Sequence, residues 1–242
     1  IGTTTTGYKA AIASLAARPV GTTSIQLSNS EARLREFNLG NLIADAMLAK
    51  AQEDGAQVSY PKVAITNGGG IRTSIAAGPI NYGKVLEVLP FGNTIARVDL
   101  TGAQLKAAIE HGVGRVGAPT GGGRFPQIAG MRFSYVANQP EGKRVTNLEV
   151  KVGDAFQAVN NTGMYRVYTN NFMLTGGDGY TVFTQGTNQL DIGFVLADVL
   201  AEYIGALSAN GGTVDAADIS GGRINVTFLN WLPSISIASA SR

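Results

Sequence analysis

The sequence predicts an α+β fold with layered sheets, and three observations carry that prediction. Helical and strand-like segments are intermixed without a strict βαβ repeat, so a purely parallel sheet is not expected. Residues 131–169 are rich in β-branched and aromatic residues set between turn signals. Of the 242 residues, 44% are hydrophobic and 32 are glycine, a mixture that supports a folded core joined by many turns.

Along the chain, residues 3–17 place Tyr8, Ile12 and Leu15 at helical spacing before Pro19-Val20-Gly21 stops the helix. A strand is expected over 24–27. Leu39, Leu42, Ile43, Ala46 and Met47 share one helical face, with Asn38 placed to cap its start and Gly55 to end it. Val63-Ala64-Ile65-Thr66 reads as a buried strand that delivers the glycines at 68 to 70. Residues 94–100 read as another strand. Thr101 and Gln104 then form a capping-box pattern ahead of a helix that buries Leu105, Ala108 and Ile109 and ends at Gly112. Residues 131–136, 145–152 and 164–169 read as three successive strands. With Asp191 as its cap, a last helix is expected to carry the stripe Ile192, Val195, Leu196, Val199, Leu200, Tyr203 and Ile204. A strand over 223–228 follows. The expected organisation is a linker helix over 1–18, one domain over 19–228 and a Ser- and Ala-rich tail over 229–242.

Charge narrows the function classes. Nineteen Lys and Arg against 17 Asp and Glu leave a formal charge of +2, with the basic residues scattered singly, which does not suit a nucleic-acid backbone. The chain has no Cys, so disulfide scaffolds and thiolate chemistry are excluded, while an exported or a cytoplasmic setting both remain open. No apolar run reaches the roughly 20 residues of a membrane-spanning helix. The chain opens on Ile1 without Met or a leader pattern and reads as a piece of a longer protein.

The single histidine, His111, excludes a His-rich zinc or dinuclear site built from this sequence alone. No G-x-S-x-G elbow is present to offer it a serine, and its expected role is that of a helix-end residue near the C-terminal dipole. No catalytic residue is therefore assigned within this chain. Asn67-Gly68-Gly69-Gly70-Ile71-Arg72 offers approachable backbone N–H groups and a guanidinium fork, which would suit an anion, although glycine triplets also serve as plain turns. It lacks the ending of a Walker A loop. Around a glycine turn, Phe172 and Asp178 could stack a flat ring and accept ribose hydroxyls, or could be a core Phe and a turn Asp. Phe91, in Leu89-Pro90-Phe91-Gly92-Asn93, admits the same two readings.

Taken in order, Glu36-Phe37-Asn38-Leu39-Gly40-Asn41-Leu42, Ile65-Thr66-Asn67-Gly68-Gly69-Gly70-Ile71-Arg72, Leu89-Pro90-Phe91-Gly92-Asn93, and Asn171-Phe172 with Gly176-Gly177-Asp178-Gly179-Tyr180 resemble the C-terminal domain of the 5'-nucleotidase family over roughly residues 20 to 228. The resemblance implies a layered α-β-β-α form that recognises the nucleotide. It implies that a separate N-terminal metallophosphoesterase domain, with two divalent metal ions, hydrolyses the nucleotide to nucleoside and phosphate. No cofactor is expected in this chain, and the helix before Pro19 would belong to the hinge.

By the same resemblance, Phe91 and Phe172 sandwich the base, Asp178 holds the ribose hydroxyls, and Arg33 and Arg72 face the phosphate. Asn67, Asn93 and Gly123 supply further contacts. The partners implied are a nucleotide or nucleoside and the N-terminal domain, in the periplasm or outside the cell. Some bacterial members carry an arginine four residues before the Arg33 position, where this chain has Asn29, which leaves the phosphate preference open. The alternative to this reading is a stand-alone nucleoside- or carbohydrate-binding module.

Overall fold

In this computed structural model residues 2–118 and 122–228 are described. The helices are α1 (Gly2–Ala17), α2 (Asn38–Lys50), α3 (Tyr82–Val88), α4 (Gly102–Val113), α5 (Asn171–Leu174) and α6 (Leu196–Leu207). The strands are β1 (Pro19–Thr23), β2 (Lys62–Asn67), β3 (Gly78–Asn81), β4 (Thr94–Thr101), β5 (Pro126–Ala129) and β6 (Met131–Val136). They continue with β7 (Val145–Val152), β8 (Ala155–Ala158), β9 (Met164–Asn170), β10 (Thr187–Val195) and β11 (Ile224–Thr227).

The strands form three sheets: β1-β3, the five-stranded β10-β4-β9-β2-β5, and the four-stranded β11-β6-β7-β8. Both larger sheets are mixed, with β2 parallel to β9 and β11 parallel to β6, so the chain adopts the layered α+β class. Alternation along the central strands builds two cores. Ala64, Ile95 and Tyr168 face Leu42, Ile43, Met47, Val88, Leu200 and Ile204 of the helical layer formed by α2, α3 and α6. Their neighbours Val63, Ile65, Val98 and Val167 face the other way, toward α4 and the four-stranded sheet through Leu105, Ile109, Phe133 and Leu148.

α4 begins with a capping box in which the Gln104 N–H donates to Thr101 Oγ1 and the Thr101 N–H donates to Gln104 Oε1. Its last residue is Val113, one beyond the expected glycine. The α2 stripe is buried as expected, and a short 3₁₀ turn over Ala51–Asp54 carries the chain to Gly55. Asn38, however, lies inside α2, with Phe37 as the flanking residue. Its side chain instead donates to the Gln26 carbonyl and accepts the Ser28 N–H, each at 2.8 Å.

Two further expectations are corrected. The strand placed over 24–27 lies earlier, over β1, because the Pro19 segment pairs with β3 and leaves Leu27 only a bridge to Ile75. Pro is tolerated there as a first strand residue. Residues 191–195 are the end of β10 rather than the start of a helix, since pairing with β4 fixes them as extended and α6 begins at Leu196. The strand expected over 223–228 is β11, whereas the tail over 229–242 lies outside the described residues. On α1 the spaced side chains Tyr8, Ile12 and Leu15 are all exposed.

Candidate functional site

The parallel pairing of β2 with β9 sets the position of the site. It brings the carboxyl ends of two central strands side by side, where ligand crevices of open sheets form. Asn67 closes β2 and Asn170 closes β9, and Asn170 Nδ2 donates to Asn67 Oδ1 at 3.0 Å. Asn170 also accepts the Met173 N–H at 2.8 Å, capping α5 and thereby setting the backbone that carries Phe172. Asn67 Nδ2 then donates to Asp178 Oδ2 at 2.6 Å, which aims the carboxylate. Asp178 Oδ1 has no partner among the described residues. Asp178 is itself left-handed at φ 53°, a conformation Asp tolerates better than most residues.

Of the two readings left open for the glycine loop, the hydrogen bonds of four of its N–H groups go with the turn. Its Gly68, Gly69, Ile71 and Arg72 N–H groups donate to the carbonyls of Phe125, Gly123, Gly68 and Val88, at 2.7 to 3.2 Å. Those donors are therefore committed to the fold. What Gly68 supplies is close approach, since a Cβ there would stand 1.7 Å from the Ala32 carbonyl oxygen. The missing side chain lets the turn that carries Arg33 settle against β2. Arg72 is shaped by the same loop: Nη1 donates to the Gly69 carbonyl at 3.1 Å, and the guanidinium lies 5.7 Å from the Phe91 ring centroid. Neither Arg33 nor Arg72 has a carboxylate partner within ion-pair distance among the described residues.

Arg33, Asn67, Arg72, Phe91, Asn93, Gly123, Phe172 and Asp178 all line one cleft of about 420 Å³, together with Gly69 and Gly70. That volume is in the range of small-molecule sites. The two aromatic rings are exposed, Phe91 at 61% and Phe172 at 44%, so neither is the core residue that its sequence context also allowed. The Asn93 carbonyl accepts the Leu196 N–H at 2.8 Å, which holds the 89–93 turn against α6. The cleft thus offers permanent positive charge, apolar ring faces and one oriented carboxylate. Among the described residues no three His, Cys, Asp or Glu side chains gather as metal ligands. No helix among them is long and apolar enough to cross a membrane.

Sequence reasoning missed two residues here. Asn170 holds both Asn67 and α5, and its signal was a polar residue between a strand and a helix. His111 lies in the last turn of α4, the helix-end place expected of it, and its contact with the site is what the sequence does not show. It sits half-buried beside Asp178, with Nε2 2.9 Å from the Asp178 carbonyl oxygen. Its pKa is held below the ordinary 6.5. Burial is the main cause, opposed by the Asp178 carbonyl and reinforced by Arg124.

Residues 19–185 match the family model described as 5'-nucleotidase, C-terminal domain, and the chain belongs to that family. Among curated relatives it is 47% identical over 191 residues to the trifunctional nucleotide phosphoesterase protein YfkN of Bacillus subtilis, covering 76% of this chain and 12% of that protein. It is 33% identical over 208 residues to the 5'-nucleotidase of Diplobatis ommata, covering 81% of this chain and 36% of that protein. The crystal structure of a 5'-nucleotidase precursor from Thermus thermophilus superimposes with a TM-score of 0.80 and 38% identity, covering 93% of this chain and 42% of that one. The chain therefore spans less than half the length of each of these relatives.

Proposed function

We propose that this chain is the nucleotide-recognising part of a 5'-nucleotidase that converts nucleotides to nucleoside and phosphate. In this reading the base stacks between Phe91 and Phe172, Asp178 Oδ1 accepts the ribose hydroxyls, and the phosphate lies toward Arg33 and Arg72. Asn67, Asn93 and Gly123 complete the polar contacts. The observation that carries the reading is the convergence of all eight residues on one cleft, with both guanidinium groups free of carboxylate partners among the described residues. Guanidinium groups keep their charge at any working pH, so they can neutralise phosphate throughout that range. Stacking is tolerant of base identity and contributes about 1–3 kcal/mol per base, which supports broad base specificity.

Hydrolysis then falls to an N-terminal metallophosphoesterase domain holding two divalent metal ions, which would activate water. This chain binds and orients the nucleotide but breaks no bond. Export to the periplasm or the cell exterior goes with the same reading. Calorimetric titration of adenosine and AMP, with chelator present, tests recognition by this chain. We expect saturable binding that Phe172→Ala weakens at least about tenfold, as loss of one stacking face implies. Equal affinity for adenosine, AMP and simple sugars would instead point to a nucleoside- or carbohydrate-binding module.

A further inference from the structure

Behind Asp178 lies a group that the cleft itself does not display. His111 projects from the last turn of α4, and both ring nitrogens are engaged: Nε2 with the Asp178 carbonyl at 2.9 Å and Nδ1 with Arg124 Nη1 at 3.3 Å. A guanidinium can only donate, so Nδ1 must accept, and the ring proton is left on Nε2, where it donates to the Asp178 carbonyl. The neutral Nε2–H tautomer is thus fixed by its neighbours. The Tyr180 ring packs edge-on at 4.9 Å, and its hydroxyl donates to the Arg124 carbonyl at 2.6 Å. Even the chain at 179 is shaped to admit the imidazole: Gly179 has φ 84°, and a Cβ there would lie 2.8 Å from His111 Cε1.

We propose that His111 is a positioning residue for nucleoside recognition, whose neutral Nε2–H tautomer pins the left-handed Asp178 turn and makes affinity dependent on its protonation state. The proposal rests on the nucleotide-binding reading of the cleft. Asp178 is held at two points, its carboxylate by Asn67 and its carbonyl by His111. Protonation of Nδ1 leaves Nε2–H as a donor but removes the acceptor that Arg124 uses and sets two cations against each other, and it is this repulsion that shifts the ring and, through it, the Asp178 carbonyl.

The charged and titratable groups around the ring are Arg124, Arg115 just beyond α4, Glu141 paired with Arg124, and Asp178 and Tyr180 beyond α5. Burial lowers the His111 pKa, the Asp178 carbonyl raises it, and Arg124 and Arg115 outweigh Glu141 in lowering it further. The pinned state is therefore complete at neutral pH, and adenosine affinity falls as pH drops through a value below 6.5. By linkage, bound nucleoside lowers the His111 pKa further.

The test uses two readouts on the full chain. Because His111 is the only histidine, NMR titration of its imidazole reports tautomer and pKa without ambiguity. Calorimetry of adenosine from pH 5 to 8 is run on the wild type, His111→Gln and His111→Ala, with thermal melts to confirm folding. The expected result is an Nε2–H tautomer and a wild-type affinity that weakens severalfold toward pH 5. His111→Gln, whose amide can donate to the same carbonyl without titrating, binds within about twofold of wild type at pH 7.5 and shows a flat profile.

His111→Ala, lacking one hydrogen bond, binds about fivefold more weakly at pH 7.5. Wild-type affinity in a folded His111→Ala, or one pH profile shared by wild type and His111→Gln, overturns the proposal while the binding reading stands. Absence of adenosine binding at every pH overturns the binding reading itself and this inference with it.

Discussion

Arg72, Arg33, Phe91, Phe172 and Asp178 line one cleft, and in the proposed reading the two arginines face phosphate while the rings and the carboxylate face base and ribose. Removing one guanidinium should therefore separate ligands by charge. Arg72→Ala is expected to weaken AMP by about tenfold, in line with a charge-assisted contact, and to change adenosine less than twofold. Calorimetry of both ligands reads the difference, and equal losses would place the phosphate elsewhere. Gly68 gives a stability test. A methyl group at that position would stand 1.7 Å from the Ala32 carbonyl oxygen, so Gly68→Ala must displace either β2 or the Arg33 turn. We expect a loss of about 2 kcal/mol or more in urea unfolding, within the range for overpacking.

Of the cleft residues, Asn67, Arg72, Phe91, Phe172 and Asp178 were candidates from short motifs around glycine, whereas Arg33, Asn93 and Gly123 came only with the family resemblance. What the sequence did not reveal was the second layer. Asn170 and His111 act through Asn67 and Asp178, and such contacts join residues about 70 to 100 positions apart that no local pattern records.

Among the elements, α2, α4, β2 and β4 were readable from periodicity and capping, since their own residues decide which face is buried. β3, β5 and β10 were not. β5 is four residues that begin with Pro126, and it is a strand because β2 pairs with it. β10 carries Ile192 and Val195 in phase with the α6 stripe by coincidence, and its pairing with β4 overrides that period.

The same central strands hold a buried charge network. Arg166, 3% exposed on β9, donates to both Asp99 oxygens at 2.7 and 2.9 Å, and Asp54 accepts from Arg97 and from the Tyr168 hydroxyl. Burial alone would raise both carboxyls. Hydrogen bonds from Arg166, Tyr60 and Asn188 to Asp99, and from Arg97 and Tyr168 to Asp54, overcome burial and hold both below their ordinary 3.8. Their stabilisation is complete above that value and is lost as pH falls through the lowered folded values. Arg166→Leu leaves Asp99 buried without its ion pair and should cost about 3–5 kcal/mol. Urea denaturation at steps between pH 7 and 3 should show that cost shrinking as pH falls, because protonation relieves the unpaired Asp99 while the wild type loses its ion pair, and a cost that stays constant across that range would mean that the network contributes nothing to acid stability.

At the scale of the whole molecule, two cores on opposite faces of one sheet give a rigid platform, and the cleft opens where β2 and β9 end. Rigidity there matters because the cleft residues come from five separate segments: the Arg33 turn, the 67–72 loop, the 89–93 turn, the Gly123 loop and the 172–178 turn. Each is tied to the platform through a backbone contact or a buried side chain, so the site is formed before any ligand arrives. If the proposed reading holds, such a site is expected to bind nucleoside with chelator present and without the rest of a longer polypeptide.

The most direct measurement is a crystal structure of this chain grown with AMP and chelator. Adenine is expected between the Phe91 and Phe172 rings, with ribose hydroxyls within hydrogen-bond distance of Asp178 and phosphate oxygens facing Arg33 and Arg72. AMP bound elsewhere, or seated with its phosphate against Asp178, would contradict nucleotide recognition by this cleft.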